Sequence, residues 1–346
     1  MREQSFVSVI VPARNEESTI GACLQALHRQ SVGPERLEVI AVVAGEDRTA
    51  EIARAAGAAK FGRFELLALA SGNKNVALRL GRAHAHGEVV VCVDADTELA
   101  PDAVAELLHA LRAQPGSVAH GAAVPRIDTW VSRYWELNRK LVKDLHFDGK
   151  LSGEVMAFPQ AALPSEDLPE LFWEGAALKD DLYLGRVLQE RGWRIVYAPR
   201  ARATTLVPWT FHGLVATLRR SRRGAMRVLP LGEAILQAGK SAVLILGLPA
   251  FALLVRWSIA LAILCGLPLA LHVLTLAVRV ERLRRRDLGD YRGDLPVYVG
   301  IDLLARALKL WAVIERVMGK GLSPTFRGER PAAALDVQPE RRGRRD

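Results

Sequence analysis

Asp94 and Asp96 stand one residue apart, directly after the apolar run Val89–Val93. Such a run reads as a buried strand, which puts both carboxylates at a sheet edge, where they are costly unless they bind something. A divalent cation bridging a carboxylate and a diphosphate meets that need, because Mg2+ and Mn2+ prefer hard oxygens and take few ligands from protein. The alternative is an acidic turn capping a helix that begins near Pro101. A second pair, Asp180 and Asp181, precedes Leu182, Leu184 and Leu188, which start an apolar helical face. An apolar or anionic surrounding raises the pKa of a carboxylate, and the charge of Asp180 acts on Asp181 in that direction. A helix N-terminus that favours acidic residues explains the same pair without catalysis. Arg219, Arg220, Arg222 and Arg223 form a basic group whose guanidinium forks suit either a departing diphosphate or a lipid headgroup.

The elements that must position these groups alternate. Phe6–Val11 is a β-rich run ended by Pro12, and Ile20, Leu24 and Leu27 follow at helical spacing behind Asn15–Ser18. Leu37–Val43, a helix-like Arg48–Gly57, the strand candidate Phe64–Leu69, the helical Asn73–His86 and the strand Val89–Val93 repeat the theme. Alternation of this kind predicts an α/β domain with a mainly parallel sheet. Ligands of such sheets sit beyond the carboxyl ends of the strands, here Pro12–Glu16, Ala44–Asp47 and Asp94–Asp96. From Pro115 to Leu178 the pattern is irregular, with a helix expected over Trp130–Leu145 and loops elsewhere. Trp130, Trp135 and Trp173 are candidates to stack on a ligand or to fill a core. His84 and His86, two apart on a helix, point away from each other and make no metal pair.

Several signatures in order resemble glycosyltransferase family 2 over most of the first 225 or so residues. Val11-Pro12-Ala13-Arg14-Asn15-Glu16 resembles the family's opening strand and nucleotide-binding loop, and Asp47-Arg48-Thr49 its Asp-x-Thr helix start. Gly72-Asn73-Lys74-Asn75 is similar to its Gly-Lys-Asn step, Val93-Asp94-Ala95-Asp96-Thr97 to its metal motif, and Asp180-Asp181-Leu182 with Arg191–Ile195 to its acceptor-site motif. The resemblance implies a GT-A-type fold and direct, inverting transfer from a nucleotide-sugar. It makes Asp181 the general base, with Asp180 beside it. Asp96 would hold Mg2+ or Mn2+, with Asp94 on the metal or the ribose. Pro12, Arg14, Asn15, Glu16, Asp47, Lys74, Asp94, Arg220 and Arg223 would bind the donor. Three departures stand out. Ala44-Gly45-Glu46 occupies the place of an aspartate that reads the nucleobase, Gly224 that of a tryptophan typical of chain-extending members, and Arg79 that of a common asparagine. The lost tryptophan argues for adding a single sugar.

With 346 residues the chain has length for a full domain and an appendage, and its net charge is +9 with a pI of about 9.8. The basic residues gather at Arg219–Arg227, Arg279–Arg286 and the C-terminal tail, beside apolar stretches, which favours an anionic membrane surface over nucleic acid. Cys23, Cys92 and Cys265 lie too far apart for a zinc motif or a disulfide framework. The N-terminus lacks a secretory pattern, so a cytoplasmic catalytic domain at the cell membrane is expected. Ala242–Val255 and Ser258–Val278 contain no charged residue. The second run is long enough to span a bilayer, and the first is a short span or a re-entrant helix. Basic flanks on both sides favour an in-and-out hairpin. Leu295–Met318 carries an apolar stripe, Ile301, Leu304, Leu308 and Trp311, that suits the membrane interface or packing on the soluble domain.

The resulting division is a catalytic domain over 1–228, a membrane hairpin over 229–280, a basic linker and amphipathic helix over 281–322, and a disordered tail over 323–346. The expected reaction moves one sugar, from a UDP-sugar, to a hydroxyl or phosphate of a lipid acceptor. A sugar-phosphate nucleotidyltransferase would need a Gly-rich basic loop after the first strand, which Pro12–Glu16 is not. A catalytically degenerate membrane scaffold would fit the lost nucleobase aspartate, and retention of Asp94, Asp96 and Asp181 opposes it.

Overall fold

The computed structural model describes residues 6–318 apart from 59, 71, 177, 178 and 255–257. The tail expected to be disordered lies outside the described residues. The chain divides into two units. One comprises the residues up to Val124 with Gly149–Leu206, the other Pro125–Asp148 with Val207 onward.

In the first unit, β1 (Val7–Arg14), α1 (Ile20–His28), β2 (Leu37–Ala44), α2 (Thr49–Gly57), β3 (Arg63–Ala68), α3 (Lys74–His84) and β4 (Val89–Val93) follow one another as the alternation predicts. All eight residues of β2 and all five of β4 are buried, the mark of strands covered on both faces. Then come β5 (Thr97–Leu99), α4 (Ala103–Ala113) and β6 (Ser117–Pro125); the second unit supplies α5 (Trp130–Arg139); and β7 (Val155–Pro159), α6 (Leu168–Leu171), α7 (Asp180–Glu190) and β8 (Arg194–Thr205) complete the first.

One sheet of eight strands runs β3-β2-β1-β4-β7-β6-β8-β5. Its first half is parallel, with β1 in register on β2 from Val7↔Leu37 to Arg14↔Ala44 and on β4 from Val7↔Val89 to Ile10↔Cys92. The second half departs from the mainly parallel expectation: β7 pairs antiparallel with both β4 and β6, and β5 with β8. Two of these strands, β6 and β7, lie in the stretch whose pattern is irregular in sequence. β1 continues through Pro12 to Arg14, paired with β2 throughout, while its ladder to β4 stops at Ile10. A proline without an amide proton is tolerated beyond a ladder's end.

At the amino ends of these strands sits a buried carboxylate. The Glu38 side chain is 0% exposed. It accepts from Ser8 Oγ at 2.5 Å and from the His86 backbone N–H and ring Nδ1, each at 2.8 Å, and pairs with Arg63 at 3.2 Å. Burial alone would raise its pKa, but the bonds from Ser8 and His86 and the charge of His86 outweigh it, and the pKa is lowered. His84 turns instead to Glu65, at 2.9 Å, so the two histidines are indeed separate.

The second unit is helical. It contains α5, followed by a wider turn over Lys140–Asp144, then α8 (Phe211–Val228), α9 (Leu231–Leu254), α10 (Ile259–Arg285) and α11 (Leu295–Val317). Its core joins Val131, Tyr134 and Leu137 of α5 to Leu214 and Leu218 of α8, Leu276 and Val280 of α10, and Tyr298 and Ile301 of α11. α9 and α10 pack on each other, and a Cβ at Gly247 would strike the Cys265 carbonyl, so glycine permits the close approach. Both helices present large apolar side chains outward, among them Leu253 at 72%, Ile259 at 69% and Leu264 at 65% exposure. Ile263–Arg285, within α10, is the one stretch among the described residues long and apolar enough to cross a membrane.

Replacing Glu38 by Gln should lower stability by about 1–3 kcal/mol at neutral pH, the usual cost of leaving buried donors poorly satisfied. A carboxyl whose pKa is depressed on folding stabilises the protein above its unfolded pKa and loses that contribution as pH falls through its folded pKa. The gap in denaturation midpoint between wild type and Glu38→Gln should therefore narrow as pH falls below about 4. A gap independent of pH would show that the charge contributes nothing.

Candidate active site

Lys74 opens α3, where the helix dipole disfavours a cation, and its side chain is held by acids from two other elements. Its Nζ lies 2.6 Å from Asp94 Oδ1, beyond the carboxyl end of β4, and 3.2 Å from Asp180 Oδ2, in the first turn of α7. Asn73 caps α3 by accepting the Asn75 N–H at 3.0 Å, which fixes the turn that presents Lys74. Gly153 borders the same point: a Cβ there would lie 3.4 Å from the Asp181 Cβ and 3.7 Å from Lys74 Nζ.

Asp94 is strongly perturbed. Burial raises its pKa to about 7, with the charges of Asp96 and Asp180 adding to the effect and Lys74 opposing it. Burial also raises Asp96, whose Oδ1 accepts from Thr97 Oγ1 at 3.2 Å and Thr205 Oγ1 at 3.3 Å. Asp96 therefore serves the sheet edge, while α4 begins only at Ala103 with no side-chain cap from Asp102, which removes the helix-capping account of the acidic pair. Asp181 is engaged on both oxygens: Oδ1 accepts the Leu182 N–H at 2.8 Å, and Lys179 Nζ lies 3.1 Å from Oδ1 and 3.2 Å from Oδ2. The result is an acidic edge with two lysines set into it.

The donor-loop candidates assemble on the neighbouring strand ends. Asn15 has φ +55° and fills the space over Gly45, whose own φ is +108°. A side chain at 45 would collide with Asn15, so glycine is required at that position. Glu16 donates its backbone N–H to Thr49 Oγ1 at 2.7 Å, and its carboxylate, raised in pKa by burial and then by Asp96 and Asp47, accepts from Thr19 at 2.6 Å. Asp47 accepts from the Thr49 hydroxyl at 2.5 Å and the Glu17 N–H at 3.2 Å, which lower its pKa. Arg14, at the end of β1, passes where a Cβ on Gly72 would lie. Pro12 is inside β1, two residues short of its end. Thus Arg14, Asn15, Glu16, Asp47, Lys74, Asp94, Asp96, Asp180 and Asp181 all belong to the first unit. Arg220 and Arg223 belong to the second, where Arg220 is exposed and Arg223 forks onto Glu315, with its Nε at 2.6 Å.

Among the described residues no three His, Cys, Asp or Glu side chains converge as a closed metal cage. Asp94 and Asp96 offer hard oxygens in a partly buried anionic edge, a donor set that fits Mg2+ or Mn2+ sharing its coordination with a ligand's phosphates.

The sequence model for glycosyl transferase family 2 matches residues 8–164, and that for glycosyl transferase family group 2 matches residues 89–288. The chain belongs to glycosyl transferase family 2. Among similar proteins, an N-acetylglucosaminyltransferase of Rhizobium leguminosarum bv. viciae is 28% identical over 222 residues, 59% of this chain and 52% of the relative. One from Sinorhizobium fredii (strain NBRC 101917 / NGR234) is 30% identical over 239 residues, 63% of this chain and 56% of the relative. The chain spans about half the length of these curated relatives. A mannosyltransferase from Pyrobaculum calidifontis, solved with GDP-Man and Mn2+, superposes with a TM-score of 0.56 over 92% of this chain and 88% of that one at 19% identity. That likeness shows a shared GT-A fold.

The family 2 pattern accounts for the acidic edge but not for Lys179 or Arg79. Lys179 is visible in sequence only as the residue before an acidic pair. Arg79, the unexplained departure, has a role here. It lies 2.9 Å from Glu174 Oε1, while Asn73 Nδ2 donates to the Glu174 carbonyl at 3.2 Å and Asn75 Nδ2 to that of Trp173 at 2.6 Å. Three side chains of α3 thus hold the segment leading toward Asp180 and Asp181 onto the helix that carries Lys74. Trp173, half-buried, leans on Tyr183 with ring centroids 5.5 Å apart.

Arg79→Glu should release this segment, and amide exchange over 172–176 should quicken up to about fivefold, the value of a partly exposed ion pair. The double exchange Arg79→Glu with Glu174→Arg should restore protection. Unchanged exchange in the single variant would show that the pair holds nothing.

Proposed function

We propose that the chain transfers a single sugar from a nucleoside diphosphate sugar, read as a UDP-sugar, to a hydroxyl or phosphate of a membrane lipid, with inversion at the anomeric carbon. The observation that carries this reading is the junction of Lys74, Asp94 and Asp180 with Asp181 beside it, which brings a phosphate-binding cation, the candidate metal carboxylate and the candidate base to one edge.

The chain's own groups divide the work. Asn15, Glu16 and Asp47 line the nucleoside side, and Lys74 meets the diphosphate. Asp181 takes the proton from the acceptor hydroxyl as its oxygen bonds the anomeric carbon, while the anomeric carbon–oxygen bond to the diphosphate breaks on the opposite face. For this, Lys179 must loosen its hold on the base. A divalent cation on Asp96 and Asp94 would neutralise charge on the departing diphosphate. Arg220 and Arg223 are the diphosphate candidates of the second unit, the first exposed and the second paired with Glu315. The N-acetylglucosaminyltransferase relatives make the UDP-N-acetylamino sugar the first donor to test.

Membrane association is supported by the length and apolarity of Ile263–Arg285 and by the outward leucines of α9 and α10. Basic residues at Arg219–Arg227 and Arg279–Arg286 support a cytoplasmic location for the catalytic unit at the cell membrane. A tethered enzyme gains effective concentration toward an acceptor in the same bilayer.

The test uses detergent-purified full chain, a panel of UDP- and GDP-sugars, Mn2+ or Mg2+ against chelator, and total membrane lipid as acceptor. Metal-dependent transfer is expected, falling about 100-fold or more in Asp181→Asn and becoming undetectable in Asp96→Ala. Transfer that survives chelator, or an Asp181→Asn enzyme at wild-type rate, would overturn the mechanism. Folded protein inert toward every donor would overturn the enzymatic reading of this chain.

A further inference from the structure

Two ammonium groups stand at the acidic edge of the first unit, and carboxylates hold both. Lys74 Nζ is shared between Asp94 Oδ1 at 2.6 Å and Asp180 Oδ2 at 3.2 Å, and Lys179 Nζ spans the Asp181 carboxylate, 3.1 Å from Oδ1 and 3.2 Å from Oδ2. With Asp96, two residues beyond Asp94, four carboxylates stand against two ammoniums. Arg14 passes over Gly72, two residues before Lys74, and counting it still leaves the carboxylates in excess. A divalent cation and a donor diphosphate of opposite charge, added together, leave that excess as it is. The edge is negative with or without its donor.

A phosphate and a hydroxyl make opposite demands on such an edge. A phosphate monoester carries about −1.5 to −2 charge at pH 7, so its attacking oxygen needs no base and instead needs cations that no carboxylate already holds. A hydroxyl is neutral, meets no repulsion, and must give up a proton as it attacks. The Asp181 carboxylate suits the second demand. Its Oδ1 accepts the Leu182 N–H at 2.8 Å, which together with Lys179 fixes the group in the first turn of α7. Gly153 keeps side-chain atoms away from the same point, because a Cβ there would touch both the Asp181 Cβ, at 3.4 Å, and Lys74 Nζ, at 3.7 Å.

We propose that this edge selects a lipid alcohol over a lipid phosphate as the acceptor. The selection rests on the transfer reading above and narrows it to one nucleophile. The acceptor hydroxyl passes its proton to Asp181, its oxygen bonds the anomeric carbon, and the diphosphate leaves with the electron pair of the broken carbon–oxygen bond. Asp180 contributes by repulsion, since its charge disfavours an anionic acceptor. The product is a glycoside, which withstands mild acid. Transfer to a phosphate would give a glycosyl phosphate, which mild acid cleaves.

The experiment uses the full chain in neutral detergent with Mn2+ and the UDP- and GDP-sugar panel. It offers paired acceptors that differ only in a phosphate: dioctanoylglycerol against dioctanoyl phosphatidic acid, and a polyprenol against its monophosphate. The alcohol of a pair should be used with a kcat/KM about tenfold higher or more, and glycolipid formed from total membrane lipid should survive mild acid. A phosphate used as well as its alcohol, or an acid-labile product, would overturn the proposal. Asp180→Asn removes one negative charge and should narrow the preference about threefold or more; an unchanged ratio in the folded variant would show that charge does not select the acceptor and would also overturn it. Should that variant fail to fold, ionic strength reads the same repulsion in the wild type: the preference should shrink as salt rises, and a preference indifferent to salt counts against the proposal in the same way. The two readings fail separately. Transfer to phosphate alone removes the alcohol assignment and leaves the transferase standing, whereas no product with any donor and acceptor removes both.

Discussion

One ammonium group between two carboxylates organises the catalytic unit. Lys74 reaches Asp94 from the end of a parallel strand and Asp180 from the start of a helix far along the chain, so the first half of the sheet and the later acidic helix meet at a single charge. Without Lys74, burial beside Asp96 and Asp180 would leave Asp94 facing like charge alone, and its pKa already stands at about 7 with the lysine present. Repulsion of this kind is what a divalent cation and a diphosphate would relieve together. The scaffold is arranged around that need. β1, β2 and β4 are buried apolar strands, and Arg14, Glu46 and Asp94 stand at or just beyond their carboxyl ends.

Much of this was legible in the sequence because the signals were local. Val89–Val93 is continuous and apolar, so Asp94 and Asp96 had to emerge at its carboxyl end, and the Asn73-Lys74 helix start follows the same rule. What stayed hidden depended on partners distant in the chain. β6 is built of Ser, Ala, Gly and His as much as Val, and its strand character comes from pairing with β7, whose five residues are too few to show a period. The antiparallel half of the sheet therefore reads as irregular. Arg79 is opaque for the same reason, since its meaning lies 95 residues away in Glu174. The capping account of Asp94 and Asp96 was reasonable by spacing alone; Thr205, supplied by the last strand, is what claims Asp96 instead.

The second unit follows a different logic. Beside its apolar core, large apolar side chains point outward on α9 and α10, and one ion pair, Asp302 with Arg306, is partly enclosed. Outward apolar faces of this kind mark a surface that another apolar phase would cover. Gly247 against Cys265 lets these two helices approach closely along the same faces.

The arginine group of α8 joins these two themes. In sequence its residues are nearly equivalent, and type alone cannot separate a diphosphate contact from a headgroup anchor. Position on the helix separates them: Arg223 pairs with Glu315, Arg222 is half-buried with its Nε enclosed, and Arg220 is exposed. Neighbours in sequence point about 100° apart around a helix, so adjacent arginines meet different surroundings even though Arg219 shares a face with Arg222 and Arg223. Each is committed to the environment its angle finds, and the division of one basic run into a paired, a half-buried and an exposed member follows from helical geometry rather than from any difference in chemistry.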